Sequence, residues 1–485
     1  VVYVAGGAGL LGGPLATTAA AARDAGVLLV RPGEPSAASG TVAALREVGA
    51  ASVVLVGGRG SLSTSYARSL EAAGFAVSRI SGADRYGITE NIARTFPSST
   101  TRGVFTAADA TITVPTAAWL SAATGQPLYF AIPQCIPDST AAVLAARSDR
   151  PLVLTAVSAL SDDVAAGRSC TTVRTRNEAR LRTALQETLA RYPGSSYTVS
   201  AREVGGIREM VSIGGSTRRE PASMIKVFAA WAAMKRVESG RVSMNWRMPS
   251  GTTLYDCLKV MIYISDNYCH TDIVHWIGIP TLNREIRSLG LNNTYYGSVP
   301  SGTSVLYGGN RTTANDLSAM LYKLKARTIL SDRYSTLLLR FMRNQPFTSR
   351  IPEGIPPGII QASKPGSLWV ASGLIQNDSA VVIGSKKTFV LTVLGSGGSS
   401  KAGIRAIART VYSHFNGSFG AAASHPDLHV RTKARTAMLN SPEGSVIGYI
   451  PGGTALEVVD SKRRMYQVRY NGRLVWIFHL RVTGL

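Results

Sequence analysis

Short apolar runs recur through the first third of the chain: Val2-Tyr3-Val4-Ala5, Val53-Val54-Leu55-Val56 and Val104-Phe105-Thr106-Ala107. Alanine-rich stretches of helical length lie between them. Strand-length runs alternating with helices predict parallel sheets under helical cover. The runs also repeat. Val2–Ala5 aligns with Val104–Ala107, Val53–Gly58 with Leu152–Ala156, and Ser61–Ser63 with Ala159–Ser161, at a period of about one hundred residues. Farther on, Leu258 to Ile264 is an apolar run, and Ala380–Ile383 and Thr388–Leu391 read as alternating strands. Near the C-terminus, Tyr466–Tyr470 and Arg473–Ile477 flank Asn471-Gly472, a strong hairpin signal. With turn signals at Gly444 and Pro451-Gly452-Gly453, short strands at this spacing predict a small barrel.

These changes of pattern place the joins. Residues 171–180 are polar and lead into a helical stretch, and Gly417 to Pro426 is rich in small residues. The expected organisation is a repeat region at 1–170, a central domain at 171–416, a linker at 417–428 and a small β domain at 429–485.

Candidate chemistry lies in the central domain. Ser223 opens an apolar segment, and Lys226 follows three residues later. On a helix those positions share a face, so the lysine reaches the hydroxyl. A serine hydroxyl is a weak nucleophile until a neighbour takes its proton, and a buried lysine with a lowered pKa can do so. Ser265-Asp266-Asn267 and Lys364-Pro365-Gly366-Ser367 follow in order. The sequence S-x-x-K, S-D-N, K-x-G resembles the class A β-lactamases and the penicillin-binding proteins, over about residues 175 to 416. Tyr197 to Ser212 resembles the opening strand pair of that fold. Asn310 to Leu317 resembles the helix start after its omega-type loop, and Asn377-Asp378 stands before the last hairpin as in the family.

The resemblance implies the roles. Ser223 attacks an amide carbonyl, Lys226 accepts its proton, and Ser265 relays a proton to the leaving nitrogen. Asn267 holds the substrate's side-chain amide, Lys364 receives its carboxylate, and Gly366 and Ser367 line the binding strand. The N–H groups of Ser223 and Ser367 form the oxyanion hole. No cofactor and no metal are implied. Two departures stand out. Pro365 replaces the usual Thr or Ser, which removes a backbone donor and a hydroxyl. The stretch Leu291 to Arg311 contains no acidic residue, whereas class A β-lactamases hydrolyse their acyl-enzyme with a glutamate on that loop. Glu285, nearby in sequence, reads as an ion-pair partner on a helix surface.

The flanking regions carry resemblances of their own. Arg79-Ile80-Ser81-Gly82-Ala83-Asp84-Arg85-Tyr86 resembles the signature of type 2 cell-wall-binding repeats, which implies a wall anchor for anionic polymers. The first copy lacks that signature. Leu439 to Ile477 resembles bacterial SH3-like domains, which implies binding to wall peptides; Trp476 reads as core, with Tyr466 and Tyr470 as surface candidates. The expected fold is therefore multidomain α/β and α+β. Flavodoxin-like repeats lead, a β-lactamase-like α/β sandwich follows, and an SH3-like barrel closes the chain.

Charge and cysteines fit this picture. Residues 1–170 carry 12 Arg, no Lys and 11 acidic residues, so nearly all of the net +23 lies beyond them. Such a charge favours an anionic partner. No nucleic-acid motif accompanies it, so nucleic acid is not expected. No apolar stretch is long enough for a membrane span. Cys135 and Cys170, and Cys257 and Cys269, either pair within their domains or stay as buried thiols. The opening Val1-Val2-Tyr3-Val4-Ala5 reads as a strand already under way, the expectation being a fragment or processed form with a leader upstream. The expected protein is a secreted, wall-associated serine hydrolase acting on β-lactams or peptidoglycan stem peptides. The rival is a wall-binding or β-lactam-sensing protein with a degenerate hydrolase domain.

Overall fold

The computed structural model describes residues 1–485 except 8–10, 98, 101, 110, 111, 148, 149, 154–159, 250, 301, 302, 424–427, 463, 464 and 485. The repeat positions Leu154 to Ala156 and Ala159, and the linker residues Ser424 to Pro426, lie outside the described residues. Two compact units divide between Arg176 and Asn177. That division falls inside a helix, Cys170–Ala190, because the polar stretch at the expected join is itself helical.

In the first unit, β1 (Val2–Gly6), β2 (Gly26–Val30), β3 (Ser52–Val56) and β4 (Ala76–Ile80) form a parallel sheet of order β2-β1-β3-β4. A second parallel sheet has β5 (Arg102–Ala107) between β6 (Leu128–Ala131) and β7 (Arg150–Val153). The registers correspond. Val2 pairs with Gly26 and Val53, and Val104 pairs with Leu128 and Leu152. The Asp84 side chain caps the helix Arg85–Ala93 by accepting from Tyr86 and Gly87 N–H. Asp84 is thus explained by helix initiation, whereas the Arg85 side chain donates to Ala108 O at 3.3 Å. A disulfide joins Cys135 to Cys170.

The second unit is built on an antiparallel sheet. It contains β8 (Tyr197–Val204), β9 (Met210–Ile213), β10 (Ile360–Ser363), β11 (Gly366–Val370), β12 (Gly373–Ile383) and β13 (Thr388–Gly395). Their order is β10-β12-β13-β8-β9, with β11 also on β12. Successive residues of β12 and β13 face opposite sides. Val381 and Val390 join the core of the helical layer with Trp231, Leu258 and Ile273. Val382, Phe389 and Leu391 join Leu181, Leu185, Ile404 and Val411 on the other side. Both faces are covered, so the central strands read as continuous apolar runs. Residues 417–423 lie against this sandwich, with Arg409 donating to the Phe419 and Gly420 carbonyls and Ala423 N–H to Ile355 O.

The remaining strands are β14 (Leu428–Thr432), β15 (Thr436–Leu439), β16 (Val446–Ile450), β17 (Ala455–Lys462), β18 (Met465–Tyr470), β19 (Arg473–Phe478) and β20 (Val482–Gly484). They form one antiparallel sheet of order β16-β15-β19-β18-β17-β14-β20. Its apolar residues, including Val430, Leu456 and Ile477, share a core with the helical layer. Tyr466, read from sequence as a surface candidate, is buried in that shared core. Trp476 is buried as well. Among the described residues no helix is long and apolar enough to cross a membrane.

A buried charge network locks the far edge of the sandwich. Burial opposes ionisation of Glu209, but His414 (2.7 Å), Lys387 (2.7 Å) and Asn177 (3.0 Å) outweigh it and hold the carboxyl at about 2. A folded-state value below the ordinary 4.5 stabilises the fold above that pH, and the contribution fades as pH falls toward 2. Glu209→Gln should cost about 1–3 kcal/mol at neutral pH, because Lys387 keeps only its Glu203 partner and the charge-assisted bonds of the buried carboxylate are lost. Denaturant titrations of both proteins should show that difference shrinking as pH is lowered through the acid range.

Candidate functional site

The nucleophile turn begins with a strained residue. Ala222 has φ +50°, the left-handed region that non-glycine residues avoid, and it opens the short 3-10 turn Ala222–Ile225. That turn runs straight into the helix Lys226–Glu238, whose first residues are buried. Ser223 and Lys226 therefore share a face, as the spacing predicts, and Lys226 Nζ lies 3.0 Å from Ser223 Oγ.

Ser265 also has a left-handed backbone, φ +59°. It turns the chain between the helices Leu254–Tyr263 and Asn267–Ile277. Asp266 caps the second helix by accepting from Cys269 N–H at 2.8 Å. The Cys257–Cys269 disulfide spans the same turn. Here Lys226 Nζ donates to the Ser265 carbonyl and to Asn267 Oδ1, both at 2.6 Å, and lies 3.1 Å from Ser265 Oγ. Lys364 Nζ donates to Ser265 Oγ at 2.9 Å from the other side. The structure thus brings Ser223, Lys226, Ser265, Asn267 and Lys364 into one cluster.

Lys364 sits where β10 passes into β11. The two strands pair with β12 in one continuous register, Ser363 opposite Ala380 and Gly366 opposite Asn377. Pro365 interrupts that ladder because it has no N–H to give. Gly366 is required next. A Cβ there would meet Pro221 O at 2.7 Å and Ser223 N at 3.1 Å. Its absence lets β11, with Ser367, lie against the nucleophile turn. Asn377 fastens the same turn to the sheet, donating to Glu220 O at 2.9 Å and accepting from Gly395 N–H at 2.8 Å.

Sequence reasoning missed Arg350. This buried side chain donates to Ser367 Oγ and to Gln376 Oε1. It places a guanidinium beside the strand that lacks the hydroxyl lost at Pro365. The available signal was its isolation, since it is the one basic residue between Arg343 and Lys364. Asp378 was noted for its place before the last hairpin but not for its charge. It accepts from Ile351 and Ser379 N–H.

Burial dominates the electrostatics. It pushes the Lys226 ammonium well below the ordinary lysine value, nearby Lys364 pushes further, and Asp266 opposes only in part. Burial likewise lowers Lys364 to about 7, with Asp378 opposing and Arg350 adding. Burial raises Asp378 to about 6 against the pull of Arg350 and Lys364. A neutral Lys226 amine has two N–H groups. The two 2.6 Å contacts to carbonyl-type acceptors would use both, which would leave the lone pair for a hydroxyl, Ser223 Oγ at 3.0 Å or Ser265 Oγ at 3.1 Å.

The chain between the helices Ile279–Ser288 and Ala314–Lys325 is stitched to the nucleophile turn. Arg311 pairs with Glu220 at 2.7 Å, Arg219 and Thr312 exchange backbone hydrogen bonds, and Tyr296 Oη donates to Ile225 O at 2.9 Å. His270 is fully buried, with Nε2 bonded to Tyr296 at 2.9 Å and Nδ1 without a hydrogen-bond partner among the described residues. Glu285 is an ion-pair partner, though of Arg236 on another helix (3.1 Å) rather than of its own neighbours. Among the described residues no cluster of His, Cys, Asp and Glu could hold a metal ion.

Residues 180–415 match the family model described as the Beta-lactamase enzyme family. Among solved structures, a mutant of PBP-A in an acyl-enzyme complex with penicillin-G is 23% identical, covering 49% of this chain and 96% of that one with a TM-score of 0.45. A β-lactamase from Sphaerobacter thermophilus is 22% identical, covering 48% and 95%, with a TM-score of 0.42. A β-lactamase from Xanthomonas campestris pv. campestris is 18% identical, covering 49% and 98%, with a TM-score of 0.44. No curated protein matches the chain. The similarity to that family is confined to the segment 180–415, about half of the chain.

The Ser265 turn is held by a disulfide that closes a short loop, Cys257 to Cys269. Its removal in a Cys257→Ala/Cys269→Ala variant should cost about 2–4 kcal/mol of stability, read from denaturant midpoints of the oxidised proteins.

Proposed function

We propose that Ser223 forms an acyl-enzyme with a β-lactam or a D-Ala-D-Ala-type peptide, and that hydrolysis of that ester is slow. The observation that carries this reading is the placement of Lys226, whose buried Nζ lies 3.0 Å from Ser223 Oγ and 3.1 Å from Ser265 Oγ, with burial pushing its ammonium well below the ordinary lysine value. Ser223 Oγ adds to the carbonyl as its proton passes to Lys226. The oxyanion is received by the Ser223 and Ser367 N–H groups. Ser265, between Lys226 and Lys364, passes a proton to the leaving nitrogen as the C–N bond breaks. Asn267 takes the acyl side chain's amide. Lys364 and Arg350 supply the positive charge for the substrate carboxylate, which offsets the loss of a hydroxyl at Pro365.

Slow hydrolysis follows from where the carboxylates are. The stretch Leu291 to Arg311 has none. Glu285 is engaged by Arg236 and Glu220 by Arg311. This placement favours a penicillin-binding or β-lactam-sensing protein over a β-lactamase.

The flanking regions extend the reading to an exported, wall-associated protein. The duplicated parallel sheets of residues 1–176 suit cell-wall-binding repeats. The C-terminal antiparallel sheet suits an SH3-like binder of wall peptides. The two disulfides suit an oxidising compartment, and the net +23 suits anionic wall polymers.

Incubation with a fluorescent penicillin, followed by intact mass over time, tests the chemistry. The expected result is one adduct on the wild type, none on Ser223→Ala, and persistence for hours. No adduct would leave a degenerate binding domain, and fast loss with ring-opened product would make the protein a β-lactamase. The acylation rate should also fall as pH rises past about 7, where the free enzyme's Lys364 loses its proton and with it the charge that receives an anionic penicillin.

A further inference from the structure

The helix Asp332–Arg343 turns Leu338, Phe341 and Met342 into the core. Thr336, Leu339, Arg340 and Arg343, at spacings of three and four, share its outer side. That side lines a cavity of about 310 Å³ against the edge of the sheet. Ile360 and Ile383, opposite each other in register and both exposed, form an aliphatic floor there. Thr336 and Arg340 also line a second cavity of about 400 Å³, together with Tyr255 and Arg333. The two hollows adjoin at Arg340 and run along the helix as one groove. None of Ser223, Lys226, Ser265, Asn267 and Lys364 lines either hollow.

The groove is one-signed. Among its described lining residues are five cations, Lys325, Arg327, Arg333, Arg340 and Arg343, and no carboxylate. Arg327 pairs with Asp332 at 2.8 Å; among the described residues the other four have no carboxylate partner. A helix dipole favours cations at a C-terminus, which accounts for Lys325 and Arg343. It does not account for Arg333, which stands in the first turn of its helix, where the dipole opposes a cation. The field extends to the neighbouring helix, where burial lowers Lys259 to about 8, Lys433 and Arg340 push it further and Asp256 opposes. Arg333 and Arg340 are seven residues apart, about 10.5 Å along the axis, so one compact anion does not meet both. Four of the five cations are arginines, whose planar forks suit phosphate oxygens.

We propose that this groove binds a linear phosphodiester polymer of polyol or sugar units, with successive phosphates on Arg333, Arg340 and Arg343 and the uncharged units over Ile360 and Ile383. An aliphatic floor offers no ring for a base to stack on, which favours such a polymer over a nucleic acid. The inference rests on the wall-association reading and deepens it, by assigning an anionic-polymer site to the second unit, apart from the repeats.

A fluorescently labelled glycerol phosphate oligomer, titrated with the full chain by anisotropy at several salt concentrations, tests it. Arg340→Gln/Arg343→Gln should bind about tenfold more weakly than the wild type, and its slope of log K against log salt should be shallower by about one. Arg284→Gln/Arg287→Gln removes the same charge from exposed positions of another helix and should stay within about twofold of the wild type. Melting curves check that both variants are folded. Equal losses in the two variants, or unchanged binding by Arg340→Gln/Arg343→Gln, would overturn the site and leave the wall-association reading standing. No binding by the wild type would overturn both. Tighter binding of a single-stranded DNA of equal charge, lost in Arg340→Gln/Arg343→Gln, would overturn the choice of polymer. A penicillin adduct enters none of these readouts, so the acyl-enzyme reading stands or falls separately.

Discussion

Everything at this site depends on a lysine amine buried without a full counter-charge. Lys226 is wholly inaccessible, and the side-chain groups within hydrogen-bond reach are hydroxyls and an amide, not carboxylates. Removing an ammonium from water is costly, so burial pushes the Lys226 ammonium well below the ordinary lysine value. Asp266 is close enough to oppose this in part, but its carboxylate is committed to capping the next helix. Lys364, the second buried cation, drives Lys226 further toward neutrality. The same burial that makes Lys226 a base makes Lys364 marginal as a cation. Asp378 is what sustains it.

The fold keeps that arrangement in place by strain and stitching. Two non-glycine residues, Ala222 and Ser265, hold left-handed backbone conformations on either side of Lys226. Such conformations persist only where their surroundings enforce them. Asn377 and the Gly366 approach fasten the Ala222 turn to the sheet, and Asp266 and the Cys257–Cys269 bridge fasten the Ser265 turn. The Leu254–Tyr263 helix that delivers Ser265 is backed in turn by the C-terminal sheet, where Lys259 donates to Val482 O at 3.4 Å. That sheet therefore belongs physically to the second unit.

The residues legible in the sequence were those whose chemistry demands fixed types at short spacing. Ser223 and Lys226 are three apart, and Ser265, Asp266 and Asn267 are consecutive. Lys364 with Gly366 carries a strand motif whose glycine has a steric reason. Arg350 and Gln376 were illegible, since they meet Ser367 only through sheet register and a loop with no motif. Asp378 was visible as a landmark, but its charge matters only because Pro365 and Lys364 lie opposite it. Tyr466 was misread because an amphipathic aromatic in an alternating strand looks like surface until a second layer covers it. The polar stretch 171–180 reads as a join, and the two units divide within it, between Arg176 and Asn177, inside the helix Cys170–Ala190.

The central claim is that Lys226 is a neutral amine at rest. Selective ¹⁵N labelling of lysine, with Lys226→Arg to assign the resonance, allows its side-chain nitrogen to be titrated by NMR. This account predicts a midpoint far below that of ordinary lysines, so that the amine is neutral at pH 7. A midpoint near the ordinary 10.5 would contradict it.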